Sequence, residues 1–329
     1  MDNIFALAIN NLGSPIILCF ALGLAAAFAR SDLTIPEAVA KGMSIYLLFA
    51  IGFKGGAAVA AHGLDTTLIL ALIAGGILSF AIPFIAFALL RFMTKLSILD
   101  AAAVAAHYGS ISIVTFVAAT SVLNSQGIAS EGYMVAVAAV MEAPAILAAL
   151  WLVSRATAGS GEDDRMDAEL WREILLNGSI VLLVGSFLIG WITGEDGLTQ
   201  ISSFIISPFQ GVLCLFLLDM GLVAGRGLRQ ARGVMTAPVF AFGVIMPLVG
   251  ATLGLCTGLL LGLSTGGVVL FTTLAASASY IAVPAAMRVA LPEANPSIYL
   301  TLSLGVTFPF NLTLGIPIYV AVASALSGG

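Results

Sequence analysis

Apolar runs dominate this chain, and their lengths set its architecture. A bilayer's hydrocarbon core takes about 20 apolar residues per helical span. On that window ten spans are predicted, at roughly 14–29, 36–53, 66–92, 101–123, 132–154, 173–193, 200–224, 236–262, 267–290 and 297–325. The longest polar stretch, 156–172, runs through Gly159-Ser160-Gly161-Glu162-Asp163-Asp164-Arg165 and separates residues 1–155 from 173–329. Five spans on each side is an odd number, so the halves have opposite orientation, an inverted repeat. Faint sequence traces agree. Leu48-Phe49 precedes Gly52 as Leu215-Phe216 precedes Asp219, and Tyr133 to Pro144 resembles Tyr299 to Pro309. The fold class expected is an all-α polytopic membrane protein, ten transmembrane helices in two inverted five-helix repeats.

Two spans break their own apolar pattern. The fourth carries His107-Tyr108-Gly109-Ser110-Ile111-Ser112-Ile113-Val114-Thr115 at its middle; the ninth carries Ala275-Ala276-Ser277-Ala278-Ser279-Tyr280-Ile281-Ala282-Val283-Pro284. A helix in lipid must satisfy its own backbone, so Gly, hydroxyls and Pro at that depth need a reason. Gly109 permits a break, and Ser110 stands where an N-cap belongs. The helix that restarts aims free N–H groups and its positive dipole end into the membrane. Discontinuous fourth and ninth helices at corresponding places in two halves point to a transporter's binding site for a small anion.

Charge placement tests the span count. Basic residues cluster beside odd-numbered loops: Arg30; Arg91 and Lys95; Arg155, Arg165 and Arg172; Arg226, Arg229 and Arg232; and Arg288. Even loops carry Asp65, Glu131, Glu195 and Asp196 instead. Odd loops are therefore cytoplasmic and both termini outside, in a multi-pass protein of the cell's inner (plasma) membrane. Only 9% of residues are charged and 60% are hydrophobic, against about 25% charged in soluble domains. The net charge of −5 comes without a basic patch, which excludes nucleic acid as a partner, and Met1-Asp2-Asn3 lacks the positive start of a signal peptide. Cys19, Cys214 and Cys256 read as small core hydrophobes. Gly75, Gly76, Gly185, Gly190, Gly254, Gly258 and Gly262 read as packing glycines.

Ionisable residues within spans are costly and mark function. Lys54 and Asp219 occupy similar places in the two halves, and are expected either to pair or to reach the outer interface separately. Glu142, one residue short of Ala143-Pro144, reads as a cation or proton ligand, and as a structural acid in the alternative. Lys41 follows Glu37 by one turn, where they can pair. His107 reads as a helix-end structural residue. Asn295 and Ser297 read as caps of the tenth helix, and Asn311 as a partner for carbonyls freed by Pro309.

Across nearly its whole length the chain resembles the SbtA-type sodium-dependent bicarbonate transporters. The resemblance is carried by Ile35-Pro36-Glu37-Ala38, Gly52 with Gly55-Gly56, Gly109-Ser110, Met141, Pro144-Ala145 and Met220-Gly221. Its most specific part is Gly266-Gly267-Val268-Val269, Ala275-Ala276-Ser277, Pro284, Arg288, Pro292, Ala294-Asn295-Pro296-Ser297 and Tyr299. It implies core and gate domains each built from both repeats, a homotrimer, and bicarbonate held between two half-helix N-termini with sodium beside it. Gly109, Ser110, Ser277 and Ser279 are the substrate candidates by position, joined by Ser112 on the same stretch. Glu142 stands where the family has Asp. The cation-binding or coupling candidates are Glu142, Thr115, Tyr280, Lys54 and Asp219, with sodium near Ser110, Glu142 and Ser279. Three departures stand out: Tyr280 replaces a family Asp, Lys54 a Thr, and Asp219 an apolar residue. The fifth loop is shorter than in cyanobacterial members, which bears on the PII-like regulatory protein that docks on the cytoplasmic side there.

The function expected is sodium-coupled import of bicarbonate by alternating access, with no cofactor beyond the coupling ion. The alternatives are another small carboxylate or anion with proton coupling or none, a passive channel, and, remotely, an intramembrane hydrolase using Ser110 and His107.

Overall fold

A computed structural model of the protein describes residues 13–63, 65–142, 144–157, 178–231, 235–281, 283–284, 286–287 and 291–327. Arg165, Arg172, Arg232 and Arg288 fall outside these, as does the side chain of Arg155. The described residues form helices and no strands. Eight helical stretches are long and apolar enough to cross a membrane, and two shorter apolar helices accompany them.

The first half contains α1 (Pro15–Phe28), α2 (Glu37–His62) and α3 (Thr66–Met93). The fourth predicted span is two helices, α4 (Ile98–Gly109) and α5 (Ile113–Ser125). The fifth is also two, α6 (Met134–Val140) and α7 (Pro144–Thr157). Pro144 opens α7, where its missing N–H costs nothing. The second half contains α8 (Gly178–Ile205), α9 (Phe209–Gln230), α10 (Ala237–Leu260) and α11 (Thr265–Ala276). The last helix, α12 (Pro296–Leu326), widens into π turns over Thr301–Thr307 and Asn311–Gly315, on either side of Pro309. Asn295 caps its start, accepting from Ser297 N at 3.0 Å.

Helix α2 runs to His62, nine residues beyond the predicted end of its span, so Lys54 lies inside it. Helix α8 departs further from expectation. Gly194, at φ 57° and ψ −147°, interrupts it. Before that point Gly190 packs on Phe53 O of α2, and Gly194 reaches the level of Ala60. Beyond it, Tyr46 Oη donates to Phe204 O at 2.6 Å, and Ile205 joins Ala50 and Phe53. Tyr46 and Ala60 are about 21 Å apart along a helix, so the chain climbs α2, reverses at Gly194 and returns. Residues 200–205, predicted as the start of the seventh span, belong to this re-entrant arm. Glu195 and Asp196 open the arm, where carboxylates suit a helix N-terminus.

Packing exchanges elements between the halves: α1 packs on α9, and α8 on α2. Both contacts are backbone-close. Gly23 faces Leu218 O while Gly221 faces Phe20 O; Gly56 faces Phe187 O while Gly190 faces Phe53 O. Corresponding pairs also occur elsewhere, α3 with α4 and α10 with α11, then α4 with α7 and α11 with α12. Among the expected packing glycines, Gly254 does meet a neighbour, Phe271 O, whereas Gly185 and Gly262 have open space. Cys19 and Cys214 meet at the α1–α9 contact, both unbridged, and Cys256 is exposed rather than in the core.

Exposed positions along the long helices are apolar, as on α3 (Ile69, Ile73, Ile77) and α8 (Val184, Leu188, Ile192). Within the stretch Ile98–Ser125, by contrast, every residue of 101–119 is buried. That is the setting in which non-helical backbone is tolerated at membrane depth.

Candidate functional site

Three residues, Ser110, Ile111 and Ser112, interrupt the path from α4 to α5. Gly109 ends α4, Ser110 follows in extended geometry, and Ser112 (φ −106°, ψ 107°) caps α5 by accepting from Thr115 N at 3.2 Å. The N-cap is therefore Ser112, and Ser110 is the C-cap of α4. Two extended residues are needed to turn the chain, so the restart falls later than the glycine suggests. A Cβ on Gly109 would press on the Pro83 ring and sit 2.7 Å from Ser79 O, so glycine is required by space.

The ninth span repeats the pattern. Helix α11 ends at Ala276, Ser277 is extended, and Val283 N donates to Ser279 Oγ at 3.4 Å. The two interruptions touch. Ser112 N donates to Ser277 Oγ at 2.9 Å, and Ser279 N donates to His107 O at 2.7 Å. Ser277 Oγ in turn donates to Leu274 O at 2.9 Å, and Thr115 Oγ1 to Ser112 Oγ at 2.9 Å. Gly109, Ser110, Ser112, Thr115, Ser277 and Ser279 thus lie in one buried crossing. The Tyr280 hydroxyl faces Ser112 without reaching hydrogen-bond geometry, and its ring packs edge-on against Phe308 at 5.4 Å.

Several buried polar atoms at or near this crossing have no partner: Ser110 Oγ, Tyr280 Oη, His107 Nε2 and Glu142 Oε2. Native interiors leave few such groups, and each one marks strain, chemistry or a missing ligand. Glu142 sits between α6 and α7, next to Met141, whose carbonyl accepts from Ser79 Oγ at 2.7 Å. Ser79 therefore ties the interruption at Gly109 to the one before Pro144. Sequence reasoning missed it; its spacing of four from Pro83 was the available signal.

His107 Nδ1 bonds Ala103 O at 2.6 Å and the ring stacks on Tyr299 at 4.5 Å. It makes no hydrogen bond with Ser110, so a nucleophile–base pair is not assembled. Asn311 Nδ2 donates to Ala276 O at 2.9 Å, with Tyr319 Oη donating to Asn311 Oδ1 at 2.8 Å. Asn311 thus serves the end of α11 and not the carbonyls freed by Pro309. A chain from Tyr108 Oη to Thr307 Oγ1 (2.6 Å) and on to Gly243 O (2.7 Å) is a further brace that the sequence did not suggest.

Lys54 and Asp219 do not pair. The Lys54 ammonium sits 3.9 Å from the Phe209 ring centroid. Asp219 lies ten residues further along α9, about 15 Å of rise, where Arg226 and not Lys54 is the cation that acts on it. Lys41 and Glu37 form no ion pair either.

A family profile matches residues 15–324, that of the Na+-dependent bicarbonate transporter superfamily. The chain belongs to this superfamily. It is a multi-pass membrane protein of a transporter family, and the two touching interruptions lie within the matched span. A comparison with curated proteins finds no match.

Proposed function

We propose that this protein carries a small anion, bicarbonate foremost, across the inner membrane by alternating access, with sodium as the coupling ion. One observation carries the reading: two interrupted helices cross inside the protein, where Ser112, the cap of the restarting α5, meets Ser277 at the end of α11 and Ser279 meets His107 at the end of α4, all buried. A helix N-terminus stabilises an anion by about 0.3–1 kcal/mol, and by up to about 2 kcal/mol when partly buried. The α5 end, together with the unpartnered Ser110 hydroxyl and the ninth-span serines, replaces water around one small negative solute. Gly109, Ser110, Ser112, Ser277 and Ser279 are assigned to the anion.

Sodium, the second solute, takes oxygen ligands, and Glu142, Ser110, Ser279 and Thr115 supply them. Glu142 Oε2 and Ser110 Oγ are free to do so. Tyr280 brings a neutral phenol where the family has a carboxylate, which favours weakened or proton-replaced coupling as the second reading.

The exchanged pairing of α1 with α9 and α8 with α2 supports two inverted five-helix repeats, residues 1–155 and 173–329. Helices α1, α2, α8 and α9 then form the gate, the interrupted helices the core, and a homotrimer the assembly. Arg30, Arg226 and Arg229 meet around one cavity, which supports a single basic, cytoplasmic face and outward termini.

Uptake of labelled bicarbonate by purified protein in liposomes, with and without an inward sodium gradient, tests the reading. Saturable, gradient-dependent flux is expected. Flux of another small anion but not bicarbonate would overturn the substrate; flux of none would overturn the carrier.

A further inference from the structure

We propose a second anion site, outside the crossing, in the cavity beside Lys54. It takes a small, singly charged, partly hydrated anion and gathers it ahead of the buried serines. Its purpose rests on the transport reading above; its existence does not.

A cavity of about 350 Å³ opens between α2 and α9 on one side and α5 and α6 on the other. Lys54 is the one cation among its lining residues. The Phe209 ring fixes the ammonium by a cation–π contact but leaves its charge uncompensated. No carboxylate pairs with it among the described residues. Glu131 shares the lining; its carboxylate stays charged but is held on Ser264, accepting from Ser264 N at 2.7 Å and Ser264 Oγ at 2.9 Å, and makes no ion pair with Lys54. A cation inside a membrane protein without a carboxylate in contact is an expensive arrangement unless a mobile anion completes it.

The remaining lining suits such an anion. Gln210 Nε2 donates to Ser121 Oγ at 3.2 Å across the cavity, placing an amide and a hydroxyl near the ammonium. Asn124 and Thr120 add further polar groups. The volume exceeds that of one small ion several-fold, since a liquid water occupies about 30 Å³. The anion therefore keeps part of its hydration here, and binding is loose. This role accounts for Lys54 without the Asp219 pairing that the structure lacks.

The test reads charge in the cavity directly. Cys19, Cys214 and Cys256 are replaced by Ala and a single reporter, Asn124→Cys, is introduced. Its reaction rates with anionic sulfonatoethyl and cationic trimethylammonioethyl methanethiosulfonate are compared. K54Q should lower the anionic-to-cationic rate ratio about tenfold, because both rates respond to the one cation lining the same cavity as the reporter. K54R should retain the ratio. Bicarbonate or nitrate, at constant ionic strength, should slow the anionic reagent in the Lys54 protein and not in K54Q. If K54Q is poorly folded by size exclusion, K54M replaces it. A ratio unchanged within twofold, with no anion protection, overturns the site. A changed ratio in a protein that moves no anion keeps the site and discards the carrier; an unchanged ratio with intact uptake does the reverse.

Discussion

Ser277→Ala is the sharpest probe of the crossing. The Ser277 hydroxyl accepts from Ser112 N at 2.9 Å and donates to Leu274 O at 2.9 Å, so it binds the start of α5 to the end of α11. Its side chain is fully buried, and water does not replace it. Removing it strands the Ser112 amide, at a cost of about 1–3 kcal/mol for an unsatisfied buried donor. Hydrogen bonds between membrane helices average nearer about 0.6 kcal/mol, so about 1–2 kcal/mol is the working figure. At about 1.4 kcal/mol per decade, transport efficiency in liposomes should fall roughly 5- to 30-fold, chiefly through weakened substrate affinity. Thr273→Val is the control. Thr273 Oγ1 donates to Val269 O at 2.8 Å within the same helix, one turn from the crossing. It should change uptake less than twofold. Ser277→Ala with wild-type uptake, or the two variants indistinguishable, would refute the assignment of the crossing as the binding place.

Gly23→Ala should separate α1 from α9, because its Cβ would press on the Leu218 carbonyl; a lower melting temperature in detergent is expected. Gly185→Ala, with nothing within 4 Å, should be neutral in the same assay. Gly194→Ala forces an L-residue into a region (φ 57°, ψ −147°) that is essentially reserved for glycine, at a cost of about 1–3 kcal/mol, read as increased proteolysis or hydrogen exchange of the arm 195–205. The K54Q/D219N double-mutant cycle on uptake should give a coupling below about 0.5 kcal/mol, as for well-separated sites; a value above about 1 kcal/mol would restore the ion pair.

The spans were legible because hydropathy sums over about 20 residues report burial in lipid whatever the tertiary contacts. The break near Gly109 was legible because glycine and hydroxyls have no other business in such a run. What the sequence could not show is depth and direction. The arm 195–205 is apolar enough to read as part of a span, and only the backbone at Gly194 reveals that it turns back. Lys54 and Asp219 sit at similar positions in their halves, but equivalence by repeat differs from proximity: an inverted repeat relates positions by rotation and need not place them side by side. The shift of the N-cap from Ser110 to Ser112 has a similar origin. The composition allowed either serine, and the choice follows from the room that Pro83 and Ser79 leave around Gly109.

If the proposed alternating access holds, the same packing picks out the face that opens next. The cavity beside Lys54 lies along α5, on the side toward which that helix runs from the crossing. On the opposite side, α9 closes on α12: a Cβ at Gly305 would lie 3.1 Å from Leu228 Cγ, and one at Gly227 would lie 3.2 Å from Thr301 Oγ1. Carriage needs that second contact to part while the first cavity shuts. The paired variant L228C/G305C places one sulfur near the present Leu228 Cγ, within reach of the other for an S–S bond of about 2.05 Å. Oxidising it should abolish uptake reversibly and leave an Asn124→Cys reporter reactive from outside. In a channel, where no alternation of the two faces is needed, the bridged protein would still conduct. Undiminished flux after complete crosslinking would therefore end the alternating-access reading while leaving the anion site at the crossing in place.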